Sequence, residues 1–264
     1  MNILKKILSS PYKTVLILVV ITAIIHCLAF SLQNIIQRDS IYYIGIAKEL
    51  VNPEMKRQFS NQPHEPLLPM VIATGYRCGI DFELTGILFI IITSSFIPLA
   101  IFMIAKEIFE KNGPALLAAM LASIHPFFIR MGSYILRDPP YWTCFAFAVA
   151  FSLIAIRKRD KHKYLIYWAI VGLFSALAIA LRKEGVELII FVILWFPVEL
   201  FLHRDKLKEE LLNVILSAIA FLSTTLLICS LIYVYYSICF NGTWSSVYLN
   251  MIPFLTKRFI LIFT

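Results

Sequence analysis

The sequence predicts an all-α polytopic membrane protein of about seven spans, and three observations predict it. Sixty per cent of the 264 residues are hydrophobic and only 15% are charged, against about 25% charged in a soluble domain. The mean hydropathy is +0.81. The apolar residues also gather into segments close to the roughly 17 to 25 residues that a helix needs to cross the hydrocarbon core. In lipid the backbone must satisfy itself within each segment, so these spans are helices.

The segments in order are 14–32, 84–105, 114–130, 140–156, 164–181, 186–202 and 211–236. The opening MNILKKILSSPYK has the basic start of a secretory signal. The span behind it is long enough to cross, and no small-residue cleavage site follows, so it reads as a retained first helix. The third and fourth segments are short for a span. Residues 66–80, PLLPMVIATGYRCGI, are shorter still, carry Arg77 and open with two prolines; they read as a re-entrant or interfacial helix. Residues 253–264 open a further apolar run. The whole chain, 1–264, reads as a single membrane-embedded module.

Lysine and arginine set the orientation. Lys5, Lys6 and Lys13, then Lys106 and Lys111, then RKRDKHK at 157–163, then Arg204, Lys206 and Lys208 all fall on one side of the predicted spans. That side is cytoplasmic by this reading, as is the N-terminus. The opposite, external side receives the long segment 33–83, the loop before residue 140, and the turn at 182–185. The net charge of +8 is spread over short clusters between apolar runs, which argues against a nucleic-acid partner. The five cysteines form no CxxC and are odd in number, so neither a disulfide framework nor a zinc site is indicated.

The external segment 33–83 is far longer than the connections usual in helix bundles. Within it Ile41, Ile44, Ala47 and Leu50, or the overlapping set Tyr43, Ala47 and Leu50, recur at helical spacing. They predict an amphipathic helix on the membrane surface, ended by Asn52-Pro53. Asp39 opens that helix, where its charge suits the dipole. A second external loop, HPFFIRMGSYILRDPPYW, brings Arg137 and Asp138 ahead of Pro139-Pro140, a helix start. The third, ALRKEGVEL, places Arg182, Lys183 and Glu184 in a tight turn, with Gly185 expected to give the backbone freedom to reverse. Each acid alone is accounted for as an ordinary cap or solvated flank. Three acidic loops with basic neighbours on one rim also suit the binding of a phosphate and the activation of a hydroxyl.

The order of these pieces — an acid before Tyr42 and Tyr43, then HEPLLP, RMGSYILRDPPYW and LRKEG — resembles the C-type fold (GT-C) of membrane glycosyltransferases. It is most similar to the bacterial branch akin to protein O-mannosyltransferases and the lipid A aminoarabinose transferase. The resemblance covers about residues 1–236. It departs where Glu65 and Lys183 replace prolines usual in those motifs. It implies a sugar donor on a polyprenyl phosphate, an acceptor hydroxyl on a lipid, glycan or protein, and inversion at the anomeric carbon. Asp39 would be the general base. Arg182, Lys183 and Arg137 would meet the phosphate, and Glu184 completes their turn. Asp138 would orient the acceptor or a cation, and His64 and Glu65 would line the acceptor side. Tyr42 would stack on sugar or anchor its helix at the headgroups. Some branches use a divalent metal, for which Asp39 and Asp138 would be the ligands. The expected setting is the bacterial inner membrane with the active site outside. The competing readings are a multi-pass transporter, a non-catalytic membrane subunit, and an enzyme that handles polyprenyl phosphates without sugar transfer. A transporter would place ionisable groups near the bilayer midplane; here the acids collect at one rim.

Overall fold

The computed structural model describes residues 11–32, 37–52, 54, 65–158 and 164–240. His64, most of the loop 53–64, the centre of RKRDKHK and the run 253–264 lie outside them. Eleven α-helices are formed by the described residues: α1 Pro11–Ser31, α2 Arg38–Val51, α3 Leu67–Arg77, α4 Phe82–Ser95, α5 Ile97–Phe109, α6 Asn112–Ile124, α7 Pro126–Met131, α8 Asp138–Arg157, α9 Tyr164–Leu181, α10 Val186–Leu202 and α11 Leu207–Phe240. No strand occurs among them. Six helical stretches are long and apolar enough to cross a membrane: α1, α4 with α5, α8, α9, α10 with the turn before it, and α11. The protein is an integral membrane protein.

The ends of these helices are tied in two groups. At one end Lys106 Nζ donates to the Tyr12 hydroxyl at 3.0 Å and lies over its ring, and Arg157 pairs with Glu107 and Glu110. This is the end where the basic residues fall. At the other end Tyr76 stacks on Phe82 with centroids 3.9 Å apart, Arg182 pairs with Asp138, and Arg77 lies over Phe240. The α4–α5 span and α8 therefore run from one group to the other.

The predicted third span, 114–130, is not one helix. It breaks at His125-Pro126 into α6 and the six-residue α7. Proline lacks the N–H that would continue the ladder and disfavours helical backbone before it; His125 is accordingly extended, with ψ 121°. α6 alone, at about 1.5 Å per residue, is roughly 20 Å long and falls short of the core thickness. Together α6 and α7 still carry the chain back from Glu110 to the level of Asp138. The segment at 66–80 is α3, too short to cross, as its prolines and Arg77 predict.

On α2 the inward face is Tyr43, Ile46, Ala47 and Leu50. Ile41 points outward, 52% exposed, so the overlapping pattern that begins at Tyr43 is the one that packs. Asn52 caps this helix as expected. α3 turns into α4 through Gly79, whose φ of +88° is a conformation glycine adopts at no steric cost. Asp81 then caps α4 by accepting from the amides of Glu83 and Leu84. Within the spans, Thr93, Ser94 and Ser95 donate to carbonyls four residues earlier, which satisfies hydroxyls that lipid cannot.

α9 packs with its backbone close to that of α11. A Cβ at Gly172 would lie 2.5 Å from the Phe221 carbonyl oxygen, and Thr225 Oγ1 donates to the Gly172 carbonyl at 3.2 Å. Small residues let backbones approach where lipid gives no hydrophobic drive for association. Gly172→Val should cost about 1–3 kcal/mol through overpacking, seen as a lower melting temperature in detergent.

Candidate active site

The site forms at the end of the bundle where α8 begins and α9 ends. Pro139 and Pro140 occupy the first turn of α8, where their missing N–H groups cost nothing. They fix Asp138 as the first helical residue, with Arg137 just before it. α9 stops at Leu181, and Arg182 leaves the helix with extended backbone, φ −149°. A single 3₁₀ turn, Lys183–Gly185, then starts α10.

Gly185 does not serve this turn by conformational freedom. Its φ is −56°, which any residue adopts. What it supplies is space: a Cβ there would fall 2.5 Å from the Ile179 nitrogen and 2.6 Å from the Ala178 carbonyl carbon. The turn lies directly on the backbone of α9, and that contact sets where Arg182, Lys183 and Glu184 stand.

Three loops distant in sequence meet through charge. Arg137 Nη1 donates to Glu65 Oε2. The other oxygen of Glu65 accepts the Lys183 amide N–H at 3.2 Å. Arg182 Nη1 donates to Asp138 Oδ1, and its Nε donates to Glu184 Oε2 at 3.1 Å. The Arg182 guanidinium lies 5.5 Å from the centroid of the Tyr141 ring. Glu65 is buried, and Arg137, Asp138, Arg182 and Glu184 are half-buried. Burial disfavours the Arg182 charge, but the hydrogen bond to Glu184 and the fields of Asp138 and Glu184 outweigh it and raise its pKa. It stays cationic at any physiological pH.

α2 supplies the fourth edge. Asp39 is in its first turn, exposed, and among the described residues no hydrogen bond or ion pair engages its carboxylate. One turn on, the Tyr43 phenol is buried and feels Arg137, Asp138 and Asp39 together. Its pKa is pushed up to about 12, first by burial, with Arg137 opposing and the two aspartates adding to the rise. Burial also raises the Tyr42 pKa, and Arg137 again opposes. The two rings meet edge to face, centroids 5.6 Å apart. Asp39 thus shares with Arg137 and Asp138 the neighbourhood of one hydroxyl, and Asp138 reaches Arg182 directly.

Of the residues expected from sequence, Glu65, Arg137, Asp138, Arg182, Lys183 and Glu184 are brought into one connected group, and Asp39 and Tyr42 border it. His64 lies outside the described residues. Tyr141 escaped sequence reasoning; its signal was the spacing of three from Asp138, which places both on one face of α8. A divalent ion would look to Asp39 and Asp138. Among the described residues, no three or more of His, Cys, Asp and Glu are grouped to hold an ion, and Asp138 is engaged by Arg182, so the residues present do not make a set for it.

Residues 61–233 match the model of a protein family, dolichyl-phosphate-mannose-protein mannosyltransferase. This chain belongs to that family. No individual curated protein matches it. Membership makes the protein a membrane glycosyltransferase of the C-type, mannosyltransferase-like. The matched stretch takes in Glu65, Arg137, Asp138 and the 182–185 turn of this mannosyltransferase relative. It begins beyond Asp39.

Glu65→Gln keeps an acceptor for the Lys183 amide and removes the charge opposite Arg137. It should cost about 1–3 kcal/mol, the loss expected for a charge-assisted hydrogen bond, read as a lower melting temperature in detergent.

Proposed function

We propose that this glycosyltransferase moves a sugar from a polyprenyl phosphate to an acceptor hydroxyl at the non-cytoplasmic face, with inversion. The observation that carries the reading is the linkage of Asp138 to Arg182 beside Arg137, with Asp39 bordering them, at the bundle end opposite the basic residues. Under the positive-inside bias the basic end is cytoplasmic, which puts the site outside, at the depth of a lipid headgroup. The setting suits a bacterial inner membrane.

Asp39 acts as general base. As the acceptor oxygen forms its bond to the anomeric carbon, the hydroxyl proton passes to the Asp39 carboxylate. The bond from that carbon to the phosphate oxygen breaks, and its electron pair leaves on the polyprenyl phosphate. Attack opposite the leaving group inverts the centre. Asp39 is suited to this because its oxygens remain open to the water side.

The leaving phosphate gains negative charge, and Arg182 meets it. Asp138 and Glu184 each engage one nitrogen of a guanidinium that carries five N–H donors, so donors remain for phosphate oxygens while the plane is fixed. Arginine suits this role better than lysine because it binds two oxygens at once. Arg137 and Lys183 add positive charge alongside. Asp138 orients Arg182, and the neutral Tyr43 phenol has a proton to donate toward the sugar or the acceptor. Tyr42 stays with its helix at the headgroup level.

The test is transfer and donor hydrolysis by purified protein in detergent, over a panel of polyprenyl-phosphate sugars beginning with mannose. Asp39→Asn should lower turnover by about 10²–10⁴-fold, the range of general-base contributions, with donor binding kept. Arg182→Lys should instead raise the donor KM and lower kcat together. Full turnover by the Asp39→Asn protein would remove the base from this scheme.

A further inference from the structure

His26 lies in α1, within a span, and is 1% exposed. Ionisable side chains are costly inside a membrane and call for a reason. Its Nδ1 is 3.0 Å from Ser94 Oγ on α4. Ser94 Oγ is also 2.7 Å from the Ile90 carbonyl, where its single hydrogen goes. The imidazole is thereby tied to Ser94 through Nδ1. Its Nε2 faces the other way, toward Gly132, and the backbone of Phe128 also hydrogen-bonds the ring.

What the ring meets on that side is backbone. A Cβ on Gly132 would fall 2.6 Å from His26 Cε1 and 2.7 Å from Nε2. The ring is tethered and enclosed, so it has little room to yield. Gly132 opens a loop whose Gly132, Ser133, Ile135 and Leu136 are all buried, unusual for a connection. Ser133 turns its hydroxyl back onto the Arg130 carbonyl at 2.8 Å. Ile135 is pressed on α4, where a Cβ at Gly86 would come within 3.0 Å of it. The next two residues are Arg137 and Asp138.

We propose that His26 is a positioning residue: its ring, held by Ser94, seats the loop at Gly132 and so fixes Arg137 and Asp138 opposite Glu65 and Arg182. Two footholds of the loop on the spans are the His26 ring under Gly132 and Gly86 under Ile135. The first is polar, directional and shaped to a residue without a side chain. The catalytic part of this inference rests on the function proposed above; the seating itself does not.

The test is a size exchange read two ways. Gly132→Ala should cut kcat/KM for transfer from polyprenyl-phosphate mannose by about tenfold to a hundredfold, the scale of a misplacement near one ångström. It should also speed hydrogen–deuterium exchange over residues 132–138. His26→Ala, which removes the ring that seats Gly132, should lower kcat/KM and speed exchange over the same residues. Gly172→Ala, placed on the remote α9–α11 contact, controls for general loss of stability and should leave kcat/KM unchanged. A Gly132→Ala protein with normal transfer and exchange overturns the proposal, as does a His26→Ala protein in which both are normal. If the native chain moves no sugar from any donor while exchange responds as described, the donor reading fails and the seating stands.

Discussion

The ion pairs at the rim are the constraint on which the site depends. Glu65, Arg137, Asp138, Arg182 and Glu184 come from three stretches of chain that share no helix. Each brings a charge to a place where water is scarce, and a charge there is tolerable only with a partner. The cost of leaving any one unpaired is what forces the loop before α3, the start of α8 and the end of α9 into register. Apolar packing places the helices near each other. The charges decide how their ends line up.

This division explains why the parts were unequally legible in the sequence. Spans are read from runs of apolar residues, and the bilayer imposes their length, so α1, α8, α9, α10 and α11 follow from hydropathy. The helix start written in Pro139-Pro140, and the stop at Asn52, follow from local backbone chemistry. The external acids could be singled out because a charge beside an apolar run is conspicuous. Which guanidinium holds which carboxylate could not be read, because Arg182 and Asp138 are paired by the fold and not by spacing.

The misreadings share a physical cause. Gly185 is expected from sequence to lend the turn backbone freedom, yet its φ is ordinary and its demand is for room against Ala178 and Ile179. Local rules describe what glycine permits and say nothing of what stands beside it. Ile41 fits a helical period as well as Tyr43 does, and only the neighbours of α2 choose between them. His125-Pro126 interrupts a run that hydropathy averages as continuous. His26 counts in such an average as a mild exception, although it is wedged against a loop more than a hundred residues away.

One dimension of the molecule reaches beyond the site. α11 has 34 residues, which at about 1.5 Å each makes a rod of roughly 50 Å, against a hydrocarbon slab of about 30 Å. Such a rod leans or overhangs, and by how much depends on the thickness of the sheet around it. Near its far end Tyr235 shares a hydrogen bond with Thr74 of α3 at 2.9 Å, and Phe240 lies beneath Arg77. α3 is the helix that follows Glu65. A thicker or thinner lipid leaf would tug on that lever, so lipid composition becomes a physical variable for the charged rim.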